Sequence, residues 1–129
     1  MARGYHILAD CLRLSADVLS DDARIMTTLV RAAFRSGANV IGAHRYRFGA
    51  NSPPGCTVIV MLDESHVSVH TYALEGRAAI DIFTCGERAD TLAESIWVQI
   101  KSRLCISTVA VRRVSRFTEE ENGGAGNGN

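Results

Sequence analysis

Three consecutive segments in the middle of the chain have the residue pattern of β-strands. Residues 57–62 form a β-branched run, and residues 66–72 and 78–84 alternate apolar and polar side chains with a period of two. The five residues 73–77 between the last two segments fit a hairpin loop. A chain with this pattern must build an antiparallel sheet, and its other elements must cover that sheet.

A helix is predicted before these strands. Apolar residues recur at helical spacing over 25–34, Ser15 and Ser20 are both candidate N-caps, and Gly37 supplies the C-terminal stop. A second helix is predicted to begin at Thr91. Its signature is a capping box between Thr91 and Glu94, followed by one apolar stripe of Leu92, Ile96, Ile100 and Leu104.

Extended segments complete the order β-α-β-β-β-β-α-β; they are residues 5–12, 38–46 and 106–112. Two helices cannot cover both faces of such a sheet, so the fold class is α+β. We expect a two-layer α/β sandwich, with a mainly antiparallel sheet and both helices on one face. The other face must then be solvated or buried against a partner.

The composition indicates one cytoplasmic domain. The 129 residues carry no net charge and no long apolar run, which argues against nucleic-acid and membrane partners. The start lacks a secretory signal and the four cysteines show no C-x-x-C spacing, so a cytoplasmic location is expected. We assign the domain to 1–117 and expect the Gly/Asn-rich 118–129 to be disordered. With Lys101 as the single lysine, pyridoxal chemistry is disfavoured.

Reactive side chains are concentrated in residues 63–70 and 81–86. A hairpin loop centred on residue 75 would place Cys85 opposite Ser65. His66 and His70 share a strand face but lie roughly 13 Å apart, too far for a common metal ion. A serine hydrolase lacks support because the G-x-S-x-G elbow is absent. The pattern alone leaves open that these are solvated positions on an amphipathic strand.

The motif Glu64-Ser65-His66-x-x-x-His70-Thr71, followed by Phe83-Thr84-Cys85-Gly86, closely resembles the prokaryotic pyruvoyl-dependent S-adenosylmethionine decarboxylase proenzymes. The likeness extends from about residue 4 to 113. It implies self-cleavage between Glu64 and Ser65 into a β chain, 1–64, and an α chain, 65–129. Ser65 would become a pyruvoyl group, the cofactor, whose keto carbonyl forms a Schiff base with the substrate amine.

The resemblance also implies roles for individual residues. Cys85 matches the proton donor and His70 the processing histidine, while Thr57 falls where the family has a processing serine. Phe48 matches a purine-stacking aromatic, and Tyr72 keeps a ring where the family has tryptophan. The family's ribose-binding glutamate falls on Leu74, which cannot accept hydrogen bonds, so Glu75 is the substitute if the loop shifts.

The resemblance thus predicts an S-adenosylmethionine decarboxylase that supplies spermidine biosynthesis. Loss of the ribose-binding glutamate leaves L-ornithine or L-arginine decarboxylation as alternatives, and an inactive regulatory homologue as a third. His70 lies five residues beyond Ser65, roughly 16 Å on a straight strand. Either the chain bends sharply or His70 serves the Ser65 of a second subunit, and we expect a homodimer of αβ units.

Overall fold

A computed structural model describes residues 3–118, so the tail predicted to be disordered lies almost entirely outside the described residues. Six strands form one antiparallel sheet: β1 (Gly4–Leu12), β2 (Val40–Arg47), β3 (Cys56–Leu62), β4 (His66–Tyr72), β5 (Arg77–Cys85) and β6 (Thr108–Arg116). Their spatial order is β2-β3-β4-β5-β1-β6. The predicted fold class and antiparallel sheet are confirmed.

The helical layer covers one face of the sheet. It contains a short helix α1 (Ala16–Leu19) and two long helices, α2 (Asp22–Arg35) and α3 (Ala89–Arg103). The α2 helix packs on β2, β3 and α3, and the α3 helix packs on β1 and β5. The buried side chains alternate along each central strand, as in Ile7, Ala9 and Cys11 of β1. We call the sheet face without helices the open face.

The first helical region differs from the prediction of one helix, because the chain breaks between α1 and α2. The Ser15 side chain caps α1 by accepting the Val18 N–H. Ser20 ends α1, and Asp21 caps α2 by accepting the Arg24 N–H at 3.0 Å. The prediction of Ser20 as an N-cap is therefore wrong, because the neighbouring carboxylate takes that role.

The predicted start of the second helix is also wrong. The α3 helix begins at Ala89, after Arg88, and no side chain caps it. Glu94 does not close a capping box with Thr91, because its carboxylate accepts the Tyr5 hydroxyl at 2.8 Å and pairs with Arg113. Contacts with β1 and β6 thus outweigh the local signal, and they tie α3 to the sheet.

The hairpin between β4 and β5 differs from the predicted register by one residue. Ala73–Glu75 form a 3-10 helix closed by Gly76, whose φ of 67° is left-handed. The last strand pair is Tyr72 with Arg77, so four residues connect the strands instead of five. His70 consequently pairs with Ala79 and not with residue 80. When the same β4–β5 pairing is extended by one residue beyond His66, Ser65 lies opposite Thr84.

Candidate active site

Ser65 lies in the tight turn between β3 and β4. The Leu62 N–H donates to the Ser65 carbonyl oxygen at 2.9 Å, so Asp63 and Glu64 are the two central residues of the turn. Both side chains are exposed, while Ser65 is half-buried. The Glu64–Ser65 peptide bond is therefore at the rim of the sheet, where breaking it would leave the hydrogen bonds of both strands in place.

Cys85 and Ser65 are neighbours despite the one-residue difference in register. The Cys85 backbone N–H donates to the Ser65 Oγ at 3.1 Å. Cys85 ends β5, and Gly86 follows with a φ of 117°, which carries the chain away from the sheet towards α3. The structure thus brings a hydroxyl, a thiol and an exposed peptide bond to one end of β4 and β5.

The thiols fall into two groups. Burial raises the pKa of the Cys11 thiol to about 12, and burial also raises the pKa of Cys56. Both side chains are buried in the core and stay protonated at neutral pH. Cys85 is half-buried and Cys105 is exposed. Of the four thiols, only Cys85 combines partial access with a position beside Ser65.

Thr57 and His70 form a second cluster. They face each other across β3 and β4, and the Thr57 Oγ1 lies 2.9 Å from the His70 Nδ1, close enough for a hydrogen bond. Both are half-buried and belong to the open face. Because β4 is a continuous strand from His66 to Tyr72, His70 stays roughly 16 Å from Ser65 within one chain. The structure does not bring these two residues together.

Phe48 lies at the same end of the sheet as His70. Its ring contacts that of Tyr46, with centroids 6.2 Å apart, and its N–H donates to the Gly55 carbonyl oxygen. A Cβ at Gly55 would lie 2.2 Å from the Thr71 carbonyl oxygen and 3.0 Å from Phe48 Cε2. Glycine at position 55 is therefore what lets the loop after Phe48 close against β4.

Tyr72 and Glu75 line a separate cavity of about 510 Å³ on the far end of β4 and β5. The 3-10 helix turns Glu75 to the same cavity as Tyr72, which a regular strand would not do. Leu74 does not line this cavity and is 77% exposed. Asp10 and Arg77 also line this cavity.

Sequence reasoning missed His6 and Arg116, which reach the Ser65 turn from β1 and β6. They line, with His66 and Phe83, a cavity of about 520 Å³ that also includes residues 63–65. The period-two pattern of β1 could have placed His6 on the open face, opposite to Ile7. No local signal reveals that β1 inserts between β5 and β6, which is what brings both residues to the turn.

Within residues 3–118, no three His, Cys, Asp or Glu side chains converge as metal ligands would. The same residues include no helix that is long and apolar enough to cross a membrane.

Comparisons with known proteins agree on one family. Residues 5–117 match the family model described as S-adenosylmethionine decarboxylase. An S-adenosylmethionine decarboxylase proenzyme of Brevibacillus brevis is 40% identical over 87 residues, which cover 67% of this chain and 63% of that relative. A proenzyme of the same name from a Synechococcus species is 34% identical over 115 residues, covering 89% and 86% of the two chains.

A solved structure agrees with these sequences. The crystal structure of the adenosylmethionine decarboxylase from Aquifex aeolicus superposes with a TM-score of 0.76 at 30% identity, and the match covers 86% of this chain and 88% of that one.

Proposed function

Because the chain belongs to the S-adenosylmethionine decarboxylase family and is a pyruvoyl-dependent lyase of that type, we propose that it matures by cutting its own Glu64–Ser65 bond. The observation that carries the proposal is the 3.1 Å hydrogen bond from the Cys85 N–H to the Ser65 Oγ, beside an exposed turn. Maturation would give chains 1–64 and 65–129.

The cleavage uses atoms of the turn itself. The Ser65 Oγ attacks the Glu64 carbonyl carbon, the Glu64–Ser65 C–N bond breaks, and an ester to Oγ forms while the Ser65 nitrogen becomes an amine. Loss of the Ser65 Cα proton then breaks the Cβ–Oγ bond, and Glu64 leaves as a carboxylate. Water replaces the remaining nitrogen, which departs as ammonia, so that residue 65 ends as a ketone.

The site fits the group that this sequence of steps would leave. Ser65 adjoins two cavities, one of about 230 Å³ beside Cys85 and one of about 520 Å³ beside His66. The pyruvoyl group supplies a carbonyl that binds the substrate's amine and accepts the electrons released with carbon dioxide. Cys85 would hold the proton that is returned to the substrate's α-carbon, since it lines the smaller cavity together with Ser65 and its backbone N–H contacts the Ser65 Oγ.

His70 and Thr57 would act on the Ser65 of a second subunit. Their hydrogen bond gives His70 a fixed orientation, but the length of β4 keeps it from its own Ser65. The open face carries exposed apolar side chains of the kind that dimer interfaces bury: Leu12, Tyr46, Ile59, Met61, Tyr72 and Val114. Packing two such faces together gives a homodimer in which each site takes residues from both copies.

S-adenosylmethionine is the proposed substrate, and spermidine biosynthesis the proposed destination of its product. Phe48 and Tyr72 of the second subunit would contribute rings to bind the purine and the sulfonium, because within one chain both lie at the end of β4 away from Ser65. Glu75 would accept hydrogen bonds from the ribose in place of a glutamate at position 74, since it lines the same cavity as Tyr72. We place the enzyme in the cytoplasm, because all four of its cysteines are free.

Intact-mass analysis and carbon dioxide release test this function together. Purified wild-type protein should separate into two fragments that match 1–64 and 65–129, and the Ser65→Ala variant should stay as one chain of 129 residues. Carbon dioxide release should be greater from S-adenosylmethionine than from L-ornithine or L-arginine in parallel assays.

Greater release from either amino acid would contradict the substrate assignment and leave the cleavage assignment standing. Wild-type protein that stays whole would contradict the cleavage itself, and would favour an inactive regulatory homologue.

A further inference from the structure

His6 is a titratable residue of the site that the proposed cleavage and proton transfer leave without a role. It lies in β1, opposite Phe83 of β5 and Val114 of β6. Its Nε2 atom is buried and has no hydrogen-bond partner among residues 3–118. Because a buried nitrogen without a partner destabilises the fold, such an atom is a candidate to bind a group from outside this chain.

The His6 ring is held in place by aromatic neighbours. It meets the ring of Phe83 edge-on at 5.8 Å and the ring of His66 edge-on at 6.5 Å. His66 in turn stacks on Phe83 at 5.8 Å, and the Arg116 guanidinium lies 5.6 Å from the centroid of the Phe83 ring. These contacts fix the direction of the free Nε2 before any ligand binds.

This cluster adjoins the residue that would carry the reactive carbonyl. The cavity of about 520 Å³ is lined by His6, His66, Phe83 and Arg116 on one side and by residues 63–65 on the other. The smaller cavity, of about 230 Å³, shares residues 62–65 with it and is lined by Cys85. A molecule attached at residue 65 can therefore extend towards His6 while Cys85 reaches it from the other cavity.

The protonation state of His6 determines which group of the substrate its Nε2 can bind. Burial lowers the pKa of the His6 imidazole, and His66 and Arg116 lower it further against the opposing effect of Asp81. The ring is therefore neutral at pH 7 and can present an N–H at Nε2. A neutral donor can hydrogen-bond a carboxylate while stabilising its charge less than a cation would, which matters because decarboxylation removes that charge in the transition state.

We propose that the His6 Nε2–H donates a hydrogen bond to the carboxylate that the substrate loses. The proposal rests on the proposed function, since it needs a substrate attached at residue 65. It assigns to His6 the orientation of the leaving carboxylate in the ground state, beside the rings of Phe83 and His66.

Three substitutions separate this role from a structural one. His6→Phe keeps an aromatic ring and removes Nε2. His6→Asn removes both the ring and Nε2. His6→Gln also lacks the ring but places an amide N–H near the position of Nε2. KM is measured with S-adenosylmethionine. The dissociation constant of the decarboxylated product, which lacks the carboxylate, is measured by calorimetry on the cleaved enzyme.

The Phe and Asn variants should raise KM by about 10- to 100-fold, as expected for a lost hydrogen bond to a charged group. The affinity for the product should stay within about twofold of wild type, and Gln should recover most of the loss. An equal loss for substrate and product, or no loss at all, would overturn the assignment.

Intact mass distinguishes this result from failure of the proposed function. If the variants without Nε2 remain uncut, His6 serves the cleavage step and the carboxylate assignment is wrong. If the wild-type chain itself is uncut or releases no carbon dioxide, the proposed function fails first.

Discussion

At the scale of single residues, the chemistry depends on small differences in environment among side chains of the same type. Cys11 and Cys56 are buried thiols whose raised pKa keeps them unreactive, while Cys85 is half-buried and contacts Ser65 through its backbone. Burial lowers the pKa of His6, and its Nε2 has no hydrogen-bond partner in the part of the chain that the structure describes, whereas His70 is paired with Thr57. Position relative to Ser65 therefore separates these residues more clearly than residue type does.

We expect Cys85→Ala to be cut normally and to decarboxylate about 10²- to 10⁴-fold more slowly, since it would lose a positioned proton donor. The cleavage depends on the Ser65 Oγ and the Cys85 backbone N–H, both of which the variant keeps. Cys105→Ser is the matched control, because Cys105 is an exposed thiol away from the site. Unchanged carbon dioxide release in Cys85→Ala would exclude the thiol as the proton donor.

At the scale of elements, two ion clusters fix the helices to the sheet. Asp22, the first residue of α2, accepts hydrogen bonds from Arg45 at 2.9 Å and from Arg47 at 2.8 Å, both on β2. The hydrogen bond from Arg47 is the largest of the effects that hold the pKa of Asp22 below its usual value, against the effect of burial. Glu94 performs the corresponding function for α3 by binding Tyr5 and Arg113.

Asp22→Asn should lower the free energy of unfolding by about 1–2 kcal/mol at pH 7, a modest value because both arginines are partly exposed. A carboxylate with a lowered folded pKa contributes stability that is fully present above its unfolded pKa, about 3.9, and that is lost as the pH falls through the folded value. Urea unfolding at several pH values checks this expectation. The difference between wild type and variant should shrink below about pH 4, and a constant difference would contradict it.

Local sequence patterns predicted the helices and strands better than they predicted the contacts between these elements. Period-two alternation found β4 and β5, and helical spacing found the two long helices, because each pattern follows from burial of one face. The errors at Ser20 and Thr91 arose where Asp21 and the Tyr5–Arg113 pair offered stronger partners for the same groups. The register error came from the 3-10 helix at Ala73–Glu75, which changes the length of the loop by one residue.

The site was predictable only in part for the same reason. Ser65 and Cys85 lie on strands joined by one hairpin, so their approach follows from local pairing. His6 and Arg116 come from strands that are distant in sequence, and only the sheet order places them at the turn. The separation of His70 from Ser65 was predictable, because strand geometry alone sets it.

At the scale of the whole molecule, cleavage at the Ser65 turn would give two chains whose strands are interleaved in one sheet. Chain 1–64 would keep β1, β2 and β3, and chain 65–129 would keep β4, β5 and β6. In the sheet, β1 lies between β5 and β6, and β3 pairs with β4. Each product would therefore remain bound to the other through complete strand ladders, so the cut need not separate them.

Mixed dimers test whether His70 acts between subunits. When tagged Ser65→Ala and His70→Ala chains are expressed together, the His70→Ala chain should be cut, because its partner supplies the histidine. Random pairing of equal amounts should allow about half of these chains to be cut. Each variant expressed alone is the control and should stay whole. If neither chain is cut in the mixture, the histidine does not act across the interface.

The straightness of β4 also bears on when the enzyme becomes active. If a lone polypeptide cannot bring its own histidine to its own serine, then maturation requires an encounter between two molecules and its initial rate depends on the square of their concentration. A freshly translated copy in a dilute cell extract would stay a zymogen until another copy accumulated. The level of synthesis would thereby set a threshold for activity, without any dedicated inhibitor.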